Sequence, residues 1–302
     1  MNNILFNDHD QIRSGWRATI FLVTFIFLSI VFVFGALGAL TLLPVGPSAG
    51  SYLPLVIPFA ISSAIAIGLG GLYGKLFEKL PFRTLGISFR GNWFGNLAMG
   101  CLIGSVTFVC AILVAVMSGG MSITVNREST VSAISSTLLT TFVIFFVGAL
   151  SEETLFRGYF LQTLLRSKQL VLGVGMTSMI FALAHDANPG ISKLPLINTF
   201  LAGLWFAAAY LKTRDLWFPL GMHTMWNWLQ GPVFGINVSG IAEFSPDPVL
   251  RSTDIGPAWL TGGSYGIEGG VACTFALVLS MVVMYFLPIS EELATDLTDK
   301  DG

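Results

Sequence analysis

Three short stretches hold the residues whose types and spacing could do chemistry. "SEETLFR" carries Glu152, Glu153 and Arg157, "FALAH" runs from Phe181 to His185, and "HTMWN" runs from His223 to Asn227. A carboxylate or an imidazole can take a proton from a water and so make it a nucleophile. Histidine and asparagine both donate hydrogen bonds, and two such donors on one face can hold the charge that develops on a carbonyl oxygen. Residues four apart share a helix face. Glu153 is therefore expected to pair with Arg157, while Glu152 is rotated about 100° from it and is the carboxylate expected to do acid–base work. Each stretch also has a plainer reading. The three charges form one buried network that fixes packing, the FALAH histidine is a satisfied core residue, and the His223–Asn227 pair makes a hydrogen bond between helices.

The chain that must position these groups has 302 residues, of which 54% are hydrophobic and 11% charged, and its mean hydropathy is +0.77. Soluble domains carry about 25% charged residues, so this composition belongs to an integral membrane protein. The formal charge of -2 gives no sign of a nucleic-acid partner. Cys101, Cys110 and Cys273 all fall in apolar segments, without metal-ligand spacing or a disulfide framework, and read as small buried hydrophobes.

Apolar runs of membrane-spanning length, roughly 20 residues, predict an all-α polytopic bundle of about eight transmembrane helices. They lie near 17–43, 53–74, 93–117, 132–165, 170–186, 194–211, 216–236 and 268–288. The fifth and seventh are short and contain His185 and His223, so they are expected to pack inside the bundle. His9, the third histidine, is in the polar N-terminal stretch. The first span is too long for the apolar core of a signal peptide and is expected to be retained. With the N-terminus inside, Arg13, Arg17, Lys75, Lys79, Arg83, Arg90, Arg166, Lys168, Lys212, Arg214 and Lys300 all fall on the cytoplasmic side. Arg127, Lys193 and Arg251 face out. This alternation follows the positive-inside rule. One integral-membrane domain over 1–302 is expected, with a core at about 130–290, a turn-rich loop near 237–267 and a short acidic cytoplasmic tail at 289–302.

Counting inward at about 1.5 Å per residue, Glu152 and His185 fall at roughly 21 and 22 Å of depth, and His223 at roughly 10 Å. These depths would allow three helices to bring a carboxylate, two imidazoles and a carboxamide to one cavity.

Together, the stretches resemble the EExxxR, FxxxH and HxxxN motifs of the CAAX-processing and bacteriocin-immunity family of intramembrane proteases (CPBP or Abi), in the family's order. "GGSYGIEGG", 262–270, resembles a segment found before the last helix of bacterial members. The resemblance covers roughly 130–240. It implies a membrane-embedded peptidase in which Glu152 and His185 activate a water, His223 and Asn227 stabilise the oxyanion, and Glu153 and Arg157, with Phe181, support the site. Members are often labelled metalloproteases, and Glu152, His185 and His223 would make a two-histidine, one-carboxylate zinc set. HExxH spacing is absent, and a metal-free glutamate mechanism is the preferred reading, so no cofactor is assigned. The family's eukaryotic branch trims prenylated proteins. "RSGWR" and "GGSYGIEGG" look bacterial, so the expected setting is a bacterial inner membrane and the expected substrate a membrane-associated protein or peptide. Two other functions compete: a proton-coupled transporter, against which the lack of an internal repeat speaks, and a non-catalytic immunity or scaffold protein.

Overall fold

The computed structural model describes residues 4–7, 11–42 and 52–288. His9 and the acidic tail at 289–302 lie outside the described residues. Backbone amides in hydrocarbon have no water to bond, so an apolar chain satisfies them within helices. The helices are α1 (Ser14–Thr41), α2 (Leu53–Glu78), α3 (Trp93–Met117), α4 (Val131–Leu155), α5 (Leu161–Arg166), α6 (Leu170–Ala184), α7 (Lys193–Thr213), α8 (Trp217–Trp228), α9 (Ala258–Thr261) and α10 (Val271–Phe286). Among the described residues, each stretch predicted as a span contains a helix. Five segments among the described residues are long and apolar enough to cross a membrane, namely α1, α2, α3, α7 and the Val131–Arg166 segment that contains α4 and α5; α6 and α10 are shorter apolar helices.

The expected fourth span, 132–165, is interrupted. A π-turn at Phe156–Phe160 separates α4 from α5, and Gly158 departs from helical geometry with ψ -136°. A second π-turn, Leu229–Val233, follows α8 and contains Pro232, which lacks the N–H that a continuing α-helix would need. The sequence gives no strand-period signal, yet β1 (Met121–Val125) pairs antiparallel with β2 (Leu250–Asp254), Thr124 opposite Arg251. Arg251 bonds to Glu128 beside this ribbon at 2.8 Å.

The chain divides into two compact units, 1–89 with 146–177, and 90–145 with 178–302. In the first, α1, α2 and α5 meet around Glu78, which bonds Arg17 at 3.1 Å and Arg166 at 2.5 Å. Above that cluster Phe21 packs on Tyr159 with ring centroids 5.3 Å apart, and the Tyr73 hydroxyl meets Thr24 at 3.0 Å.

In the second unit α3 lies directly on α8. A Cβ at Gly104 would run into the backbone of Met222, a close approach typical of small residues between membrane helices. Asp215 begins α8 by accepting the N–H groups of Trp217 (2.9 Å) and Phe218 (3.2 Å), and Asn96 at the start of α3 donates to the same carboxylate. Burial pushes the Asp215 carboxyl up, against these hydrogen bonds. Ser280 on α10 takes bonds from Trp205 of α7 (2.9 Å) and Thr107 of α3 (2.8 Å), tying three helices together.

Candidate active site

The first motif lies wholly in the first unit. Arg157 donates to Glu153 at 3.2 Å, and both side chains are fully buried. This is the pair that four-residue spacing predicts. Arg157 lies on the π-turn, whose irregular backbone is satisfied by Gln162: its amide donates to the Arg157 carbonyl (3.2 Å) and to that of Leu85 (3.0 Å). Glu152 is half-buried. The helical wheel sets Glu152 apart from Arg157, but the guanidinium feels both carboxylates, Glu153 more strongly than Glu152. The wheel describes contact, whereas a charge in a low-dielectric interior acts well beyond contact.

The second and third motifs lie in the second unit. His185 is not inside a span as expected. α6 ends at Ala184, and His185 stands in the turn after it, its N–H donating to Ala182 at 3.0 Å. The following "DANPG" is rich in turn formers, and they stop the helix there. The His185 Nδ1 is 2.8 Å from the Phe181 carbonyl. A carbonyl only accepts, so Nδ1 carries the proton in this contact and Nε2 is the nitrogen able to take one.

His223 is buried on α8 and stacks on Phe206 of α7, with ring centroids 4.5 Å apart at 21°. Phe181 borders both imidazoles, at 4.8 Å from His185 and 6.3 Å from His223. The phenylalanine of "FALAH" is thus the surface against which the two rings are placed. Asn227 is half-buried one turn beyond His223.

Four contributors escaped the sequence reading. Phe206 and Asp215 look like ordinary core and loop residues in sequence. Glu268 and Ser239 face each other across a loop fold that no local pattern announces: Ser239 donates its N–H (2.6 Å) and its hydroxyl (2.9 Å) to Glu268 Oε2. Burial pushes the Glu268 carboxyl up, while Ser239 and the neighbouring His185 work in the opposite direction. The only available signal for Glu268 was its place inside "GGSYGIEGG".

Among the described residues, no group of three or more His, Cys, Asp or Glu side chains is arranged to hold a metal ion. No reaction step is routed through a metal.

The chain was compared with known proteins. It is 35% identical over 94 residues to a protein of Escherichia coli described as an uncharacterized 24.3 kDa protein; the alignment covers 30% of this chain and 42% of that relative. No solved structure matches the chain. The region holding all three motifs is similar to a family of CAAX-type intramembrane proteases: residues 134–229 match the model described as Type II CAAX prenyl endopeptidase Rce1-like.

Proposed function

We propose that this integral membrane protein is an endopeptidase that hydrolyses a peptide bond of a membrane-associated protein or peptide with a water activated by Glu152 and His185. The observation that carries the reading is that the family match, 134–229, contains every residue the reaction needs, in motif order. Glu152 takes a proton from the water, and the hydroxide adds to the scissile carbonyl carbon. His223 and Asn227 donate hydrogen bonds to the resulting oxyanion. The C–N bond then breaks, and that proton passes from Glu152, directly or by way of His185 Nε2, to the leaving nitrogen. Glu153 and Arg157 form a mutually neutralising pair that keeps the helix stable around Glu152. The alternation of basic residues supports a multi-pass protein with both termini cytoplasmic, and the resemblance of "GGSYGIEGG" to bacterial members supports a bacterial inner membrane.

Substituting Glu152→Gln tests the reading, because the amide cannot act as a base. In purified, reconstituted protein the variant should fold, retain substrate and cleave it about 10²- to 10⁴-fold more slowly. Mass spectrometry of proteins trapped by this variant in native membranes would identify the substrate. Cleavage at the wild-type rate would remove Glu152 from the mechanism, and a wild-type protein that cleaves none of the trapped proteins would favour the immunity or scaffold alternative.

A further inference from the structure

The reaction proposed above leaves "GGSYGIEGG" without a role, yet this stretch is built onto the turn that carries His185. Asn198 of α7 pins it, donating to the carbonyls of Glu268 (2.7 Å) and Gly270 (2.9 Å) while accepting the Thr274 hydroxyl at 2.6 Å. Glu268 Oε2 in turn holds Ser239 by two hydrogen bonds. The next residue, Gly240, donates to the Tyr265 carbonyl at 2.9 Å and has φ +83°. It packs so closely on Pro189 that a Cβ would collide with the Pro189 carbonyl. Pro189 follows Asn188, whose N–H donates to the His185 carbonyl at 3.0 Å. An unbroken line of contacts thus runs from Glu268 through Ser239, Gly240 and Pro189 to the backbone of His185.

We infer that Glu268 is a positioning residue for His185: through Ser239 it fixes the turn that carries the imidazole. The inference rests on His185 being a proton acceptor in the proposed reaction.

Glu268→Ala removes the acceptor for Ser239, whereas Glu268→Gln keeps one, because its amide oxygen can still accept. In the full-length protein, kcat of Glu268→Ala should fall about tenfold or more with KM little changed, and Glu268→Gln should recover most of the rate. Wild-type kcat in Glu268→Ala, or a loss in Glu268→Gln equal to that in Glu268→Ala, overturns the inference.

If Glu268→Ala does not fold, Ser239→Ala removes the hydroxyl bond alone; it should lower kcat, and an unchanged kcat overturns the inference. A readout without turnover separates this inference from the reading it deepens. In a Glu152→Gln background, the carbethoxylation rate of His185 by diethyl pyrocarbonate, followed by mass spectrometry at one fixed pH, should change when Glu268→Ala is added and return towards the starting rate with Glu268→Gln. Equal rates overturn the inference even if the protein is a peptidase. Different rates in a protein that cleaves nothing sustain it and reject the peptidase reading.

Discussion

The acid–arginine stretch and the imidazole stretches are built by opposite strategies. Glu153 and Arg157 neutralise each other over one helical turn, and their backbone is completed by Gln162 only five residues further on. His185 and His223 stand on a turn and on a twelve-residue helix, and what holds them comes from far away in the chain. Asn96 reaches Asp215 at the start of α8, Phe206 lies under His223, and Ser239 and Gly240 brace the loop after His185. Local neutralisation makes a charge tolerable in an apolar bundle. Distant bracing sets the direction of a ring. Damage to the first should therefore appear as lost stability, and damage to the second as lost rate in a folded protein.

The largest effect is expected from Arg157→Met, which leaves two carboxylates in the bundle without their cation. It should destabilise by about 3–5 kcal/mol, measured as lost folded yield and a lowered melting temperature, and Arg157→Met with Glu153→Met should regain much of it. A smaller loss, about 1–3 kcal/mol, is expected for Gly104→Val, whose side chain must push α3 off α8 at Met222. If that variant keeps its stability, the rigid seat assigned to His223 is wrong. Asp215→Ala removes the acceptor for two N–H groups of α8 and should cost about 1 kcal/mol, with a larger relative loss of kcat than of stability. An effect of similar size is expected from Phe206→Leu. Losing the ring stacked on His223 should cost about 0.5–1.5 kcal/mol. A variant that loses this much stability yet cleaves normally would show that the ring packs the core without orienting the imidazole.

The difference also explains what could be read from the sequence. The apolar runs locate the helices because hydrocarbon forces helix on any long apolar stretch, and the Glu153–Arg157 pair is legible because its partners are four residues apart. The end of α6 before His185 was missed because the apolar run continues to Ala184 with no break, and the turn formers begin only at Asp186. The β1–β2 ribbon pairs residues more than a hundred positions apart, and neither five-residue strand shows a clear alternation. Glu268 was hidden for the same reason, since its partner Ser239 comes from another loop. Asp215 reads as a loop acid, and only the fold shows that it starts α8.

The π-turn after Arg157 makes the direction of this segment sensitive to chain length. Gly158 takes the backbone out of helical geometry there, with ψ -136°, and the direction in which α5 leaves α4 is set at this kink. Deleting Gly158 would leave Glu153 and Arg157 in place but change that direction. Arg166 would swing away from Glu78, and the knot that joins α1, α2 and α5 would come undone. A single-codon deletion in an apparently uniform apolar helix would thus disconnect the segment from its neighbours while leaving every motif residue in the sequence.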